Sequence, residues 1–165
     1  MASGDTLWVW KAYEGIPFST SYPTADQRNG TWVLDYDASS KEEACFLGTL
    51  PSNYAGGALT LSVRTMATSS TANTFVLGGA IERRHVAGDD FDADSFASEQ
   101  QSGGVAPSTT SGIKVAATIS FSSGANMDSM VAGDDFRLKL ARLVADSSDT
   151  MAGDLEVETL YLTEA

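Results

Sequence analysis

Residues 59–66, LTLSVRTM, alternate almost without a break: Leu59, Leu61 and Val63 fall on one side, Thr60, Ser62 and Arg64 on the other. A period of two is what a half-buried strand requires, because successive side chains point to opposite faces. Two further extended runs, 31–37 and 44–50, precede it. Pro51 ends the second, and Gly56-Gly57 supply backbone freedom for a sharp return. This stretch predicts antiparallel β-structure and carries no recognisable chemistry.

The rest of the chain repeats the theme. Extended runs are read at 7–12, 74–86, 112–122, 135–145 and 155–162, giving eight strands with no helix long enough to cross between parallel strands. In 112–122, Ile113, Val115, Ala117, Ile119 and Phe121 share a face. In 155–162, Leu155, Val157, Thr159 and Tyr161 stand opposite Glu156 and Glu158. Gly78-Gly79 inside a strand predicts a bulge or a close backbone approach. Residues 67–73 read as a small-residue turn. Eight strands in two sheets is the jelly-roll count, so the expectation is an all-β, jelly-roll-like antiparallel sandwich over 1–165. A seven- or nine-stranded immunoglobulin-like sandwich is the other candidate, without the Cys and Trp spacing that would support it.

Two segments interrupt the pattern. Residues 13–29 read as irregular but carry Ile16, Phe18 and Tyr22, more apolar weight than a solvated loop needs; they are either pinned across the sandwich or contact a partner. Residues 87–111 are an acidic, Ser/Gly-rich insertion with five acids and no base, in which 92–101 has the capping aspartates of a short helix. Residues 123–132 can hold one or two helical turns, with Met127 and Met130 inward. The hexapeptide VAGDDF occurs at 86–91 and again at 131–136, with divergent flanks. It reads as shared turn chemistry rather than a repeat architecture.

Charge narrows the function classes. With 10 Lys+Arg against 22 Asp+Glu the chain carries −12, which opposes binding to naked nucleic acid or to an anionic membrane. No run of about 18 apolar residues exists to span a bilayer, and the N-terminus lacks the pattern of a signal peptide. Cys45, the single cysteine, sits between Ala44 and Phe46 and reads as a small buried hydrophobe in a protein folded under reducing conditions.

Candidate chemistry is sparse. Asp90, Asp92 and Asp94 have the spacing of the first calcium-loop ligands, but Ser95 and Gln101 replace the glycine and glutamate that an EF-hand needs. His85 is the only histidine, so any Ser-His-Asp triad must run through it, and no nucleophile elbow accompanies it. There is no phosphate loop, dinucleotide fingerprint or cysteine-rich site, so neither cofactor nor metal is expected. Trp8, Trp10 and Trp32 could form a sugar-stacking platform, although each lies in a strand run that favours core packing. Arg142 is the last basic residue, followed by Asp146, Asp149 and Asp154; a forked ion pair there would fix the acidic loop.

Two stretches together resemble a known group. In 44–63, ACFLGTLPSNYAGGALTLSV sets a strand, Leu-Pro, Tyr-x-Gly-Gly and an alternating strand in order. In 130–161, Ala-Gly-Asp precedes a strand ending at Arg142, then DTMAGD leads to the last strand. This pattern resembles the small jelly-roll virion proteins of tailed bacteriophages, including head decoration (cement) proteins. The resemblance implies a non-enzymatic structural protein on the capsid surface, a homotrimer, with the major capsid protein as partner. Ile16, Phe18 and Tyr22 are then the candidate contact residues. At −12, copies repel at long range, so assembly would rest on short-range apolar contact. The alternative is a receptor- or glycan-binding sandwich module of a tail appendage; an enzyme is the third class, kept open by the surplus of carboxylates.

Overall fold

A computed structural model describes residues 4–69 and 73–165. In chain order its strands are β1 (Thr6–Lys11), β2 (Ile16–Pro17), β3 (Thr24–Arg28), β4 (Thr31–Tyr36), β5 (Glu43–Thr49) and β6 (Leu59–Ala67). They continue with β7 (Leu77–Arg84), β8 (Gln100–Gln101), β9 (Val115–Phe121), β10 (Asp135–Arg142) and β11 (Leu155–Glu164). Single 3-10 turns occur at Ala12–Glu14 and Ala125–Met127. All pairings are antiparallel. One sheet runs β3-β4-β11-β6-β9, with β1 also on β11; the other runs β2-β5-β10-β7-β8. The chain is therefore a jelly-roll-like β-sandwich, as expected, with eleven strands among the described residues where eight were read; β2, β3 and β8 are the additions.

The alternating runs form the core because their inward faces meet between the sheets. Leu59, Leu61 and Val63 of β6 pack with Ile119 and Phe121 of β9, Leu138 and Leu140 of β10, and the rings of Trp10, Phe46 and Phe136. Each such aliphatic or aromatic side chain gains about 1.5–3 kcal/mol on burial, so this shared interior dominates the stability of both sheets. Gly78-Gly79 turns out to be a close approach, with the β7–β10 register unbroken across it. A Cβ on Gly79 would stand 3.0 Å from Phe121 Cζ. Met127 and Met130 are buried as expected, under one 3-10 turn.

Four expectations need correction. First, 13–29 is not irregular throughout. It contributes β2, which pairs with β5, and β3, which forms a tight hairpin with β4. Asn29 (φ 48°) and Gly30 (φ 78°) make the hairpin turn, two successive left-handed residues that match the strands' twist. Second, no helix forms over 92–101. The edge of β7 takes that segment instead: Ala97 N–H donates to Ile81 O, Ser102 N–H to Leu77 O, and β8 pairs at Gly78 and Gly79.

Third, Ile113 does not share the inward face of β9. The chain turns at Gly112 (φ 79°), and Ile113 is left exposed before the strand begins. Fourth, a bulge between Val157 and Thr159 breaks the parity of β11. Leu155 and Val157 point inward, but beyond the bulge Leu160 and Leu162 do so, and Thr159 and Tyr161 turn to the outer face. One extra residue reverses every side chain after it. The expected turn at 67–73 falls partly on 70–72, outside the described residues.

Candidate functional site

The bulge positions the most distinctive surface feature. A single edge of β11 carries two strands in tandem: β4 pairs with Leu155–Val157, and β1 pairs with 159–163. Glu158 lies between them. Here β1 ends at Lys11 and enters its 3-10 turn, while β4 arrives from the Asn29-Gly30 hairpin. The gap is a groove of about 300 Å³ lined by Lys11, Tyr13, Thr31, Trp32 and Glu158. It continues past Thr31 and Glu158 into a second hollow of about 260 Å³ bounded by Arg28, Met66 and Lys114.

Two aromatic side chains stand at the groove, and both are unusually open. Tyr13 is 68% exposed and Trp32 46%. They also border an apolar hollow of about 230 Å³ over Ala12, Ala25 and Leu34. Exposed rings beside a polar floor offer stacking faces together with hydrogen-bonding groups, the combination that holds a ligand with one apolar and one hydroxylated side. The floor is charged. Lys114 Nζ lies 2.7 Å from Glu158 Oε2, and Lys11 Nζ donates to Thr159 Oγ1 at 3.3 Å. Arg28 pairs with Glu156 and also donates to Ala67 O at 3.0 Å and Ser111 Oγ at 2.7 Å.

Part of the outer face of the second sheet is, by contrast, covered by an aromatic pair over charged residues. Phe18 and Phe96 meet edge to face at 5.1 Å and together roof Arg137 and Lys139. Beneath them Arg137 pairs with the fully buried Glu82, and Lys139 lies 3.3 Å from Glu43. Beside this layer Trp8, Leu47, Thr49, Arg84, Phe91 and Asp135 enclose a cleft of about 370 Å³. Arg84 lies 4.1 Å from the centre of the Phe91 ring.

The residues singled out from sequence scatter. Ile16 is exposed on β2; Phe18 is engaged with Phe96; Tyr22 is half-buried, its hydroxyl donating to Gly15 O at 2.8 Å. The three tryptophans share inward parity but not depth. Trp10 is buried, its Nε1–H donating to Leu47 O; Trp8 packs at the core's margin; Trp32 lies past it. His85 is half-exposed, with Nδ1 2.5 Å from Oδ1 of the buried Asp134, whose other oxygen accepts Val131 N–H. The equivalent aspartates of the two VAGDDF copies cap differently: Asp134 accepts the N–H of Val131, the first residue of its copy, and Asp89 that of His85, one residue before its copy begins. Asp90 caps Asp92 N–H and Asp94 caps Ser95 N–H. Cys45 is buried, and Arg142 is held by Asp149.

Sequence reasoning missed Tyr13, Lys11 and Glu158. Tyr13 sat in a segment read as irregular, and the regular alternation of 155–162 carries no mark of the bulge at Glu158.

No protein-family model matches the sequence, and neither does any curated protein. Solved structures do match in fold. The chain superimposes on the CBM22-2 xylan-binding domain of Paenibacillus barcinonensis Xyn10C with a TM-score of 0.50 and 14% identity, over 92% of each chain. The xylan-binding module CBM15 gives 0.50 at 11% identity, over 96% of this chain and 97% of that one. The CBM22-1–GH10 modules of Clostridium thermocellum xylanase 10B, complexed with xylohexaose, give 0.51 at 12% identity. There the match covers 99% of this chain but 28% of the longer one. At such identities the likeness is one of architecture: the chain has the jelly-roll β-sandwich fold of these carbohydrate-binding modules.

Proposed function

We propose that the chain is a non-catalytic glycan-binding module whose ligand lies along the groove between Tyr13 and Trp32. The observation that carries this reading is the pair of open aromatic rings bordering a groove with a polar, charged floor. The fold shared with xylan-binding modules supports it. Of the two sequence-based readings for a virion protein, this favours the glycan- or receptor-binding one. The test is affinity electrophoresis and calorimetry against a panel of neutral and acidic polysaccharides. Trp32→Ala and Tyr13→Ala should each weaken binding about tenfold, the factor given by ~1.4 kcal/mol of lost stacking, with unchanged melting temperature. Failure to bind any glycan, or binding indifferent to both substitutions, overturns the reading.

A second reading is the capsid decoration protein, a homotrimer on the major capsid protein at the virion surface. One observation favours it: Leu47 and Phe91 are 55% and 61% exposed around the Trp8 cleft, with Ile16 exposed on β2 of the same sheet. Apolar material of this kind suits a short-range contact between subunits. Light scattering near physiological salt distinguishes the two. A strict monomer at micromolar concentration that does not bind phage heads lacking it excludes the trimer and the cement role together.

A further inference from the structure

The chain has ten lysines and arginines, and among the described residues all but Lys11 and Arg64 lie in an ion pair with a carboxylate. In a protein with 22 acidic residues, two cations left over are worth locating. Both stand in one row across the outer face of the same sheet. Lys11 of β1 is directly opposite Thr159 of β11, and Thr159 is directly opposite Arg64 of β6. Two strand spacings separate them, about 10 Å, roughly the length of a disaccharide.

Resting on the glycan reading above, we propose that the ligand is an acidic, carboxylate-bearing glycan. It would extend from the Tyr13–Trp32 groove along β11, with Lys11 and Arg64 each receiving a carboxylate. Lys11 belongs both to the groove and to the row, so the stacking site and the cationic row are continuous. The carboxylates nearest Lys11 are already committed. Glu14 accepts the Lys11 backbone N–H at 2.6 Å, and Glu158 is held by Lys114. Among the described residues Lys11 Nζ has only the neutral Thr159 hydroxyl. Arg64 lies over the Tyr161 ring at 5.2 Å and donates Nη1–H to Ser62 Oγ at 3.1 Å. With Nη1 given to Ser62, the guanidinium still has its Nε and Nη2 N–H groups to offer a planar carboxylate.

The overall charge of −12 does not forbid this. Beyond a Debye length of about 8 Å at physiological salt the distant acids are screened, and the local cations dominate what a docked carboxylate feels. The polarity of the site follows from the bulge. Had β11 kept its parity, Thr159 and Tyr161 would face the core and this row would have no floor.

The experiment compares oligogalacturonate hexasaccharide with its carboxyl-reduced neutral counterpart in tryptophan-fluorescence titrations, alongside the neutral and acidic polysaccharide panel. The expected result is at least tenfold tighter binding of the acidic members. Lys11→Gln and Arg64→Met should each remove most of that preference; Arg64→Met, outside the groove, should leave affinity for neutral members unchanged, Lys11→Gln should weaken acidic members far more than neutral ones, and Trp32→Ala should weaken both kinds. Lys11 is exposed, so Lys11→Gln tests the idea even if Arg64→Met is destabilised. Equal affinity for acidic and neutral members, or a preference that survives Lys11→Gln, overturns this inference alone whenever Trp32→Ala still weakens binding. Absence of binding across the whole panel overturns it together with the glycan reading.

Discussion

Arg142 and Asp149 form a two-pronged ion pair sealed from solvent, with Nε to Oδ2 at 3.1 Å and Nη2 to Oδ1 at 3.0 Å. Their side chains are 0% and 2% exposed. The same guanidinium also donates to Gly153 O at 2.8 Å and Met151 O at 2.6 Å, so one side chain fixes both limbs of the 146–154 loop. Asp149 Oδ2 in turn accepts Val76 N–H. Of the three acids expected around Arg142, only Asp149 pairs with it; Asp146 caps Ser148 N–H and Asp154 caps Ala38 N–H.

Arg142→Lys keeps the charge but loses the fork and the carbonyl contacts. It is expected to cost about 3 kcal/mol or more, the scale of breaking a buried pair, read as a lower urea midpoint at unchanged slope. A variant that unfolds no more easily than wild type removes the clamp from the account.

Asp35 gives a pH signature. It stands directly opposite Glu156 in the β4–β11 ladder, and its Oδ1 is buried with no hydrogen-bond partner among the described residues. Burial first, then the charges of Asp154 and Glu156, push its carboxyl up from 3.8 to about 6. A carboxyl that holds its proton more tightly when folded favours the fold below pH ~4, and that contribution is lost as pH rises through about 6. The full shift corresponds to about 3 kcal/mol, and partial solvent access reduces it to about 1 kcal/mol. Asp35→Asn should therefore raise the melting temperature more at pH ~7.5 than at pH ~2.8, both pH values taken roughly a unit or more outside the window. Equal shifts at the two pH values would contradict the assignment.

Cys45 should be inert. It stands between Ile16 of β2 and Lys139 of β10 in the ladder, and burial drives its thiol up to about 11 despite Arg137 and Lys139 nearby. Thiolate is the reactive form, so disulfide-exchange reagents should label the native protein only at the rate at which it opens. Rapid labelling in native buffer, unaffected by denaturant, would show that the site is open.

Two glycines are set by what rests on them. A Cβ on Gly48 would meet Phe136 Cζ at 2.7 Å, and one on Gly79 would meet Phe121 Cζ at 3.0 Å and Ile119 Cδ1 at 3.2 Å. Gly48→Ala and Gly79→Ala force rigid aromatic rings out of place and should each cost about 1–3 kcal/mol by overpacking. Thermal unfolding that leaves either variant at the wild-type midpoint would mean that the rings can yield.

The sequence by itself determined the sandwich and the face of most strands, because alternation is local: Leu59, Leu61 and Val63 declare their side without reference to any partner. It also exposed the Arg142 clamp, whose carboxylate lies seven residues away and needs only a turn to reach it. Depth and neighbourhood were decided in three dimensions. Trp10 and Trp32 share inward parity, yet one fills the core and the other lies past its edge, since parity gives a face and not a distance from the rim. β2, β3 and β8 are short or polar, and they exist as strands because a neighbouring edge offers its hydrogen bonds. The bulge at Glu158 reversed Thr159 and Tyr161 against a regular pattern, because β11 must serve β4 and β1 in succession along one edge. That same strand brought Lys11 and Arg64 into one row, a relation set by register between distant segments and written in neither of them.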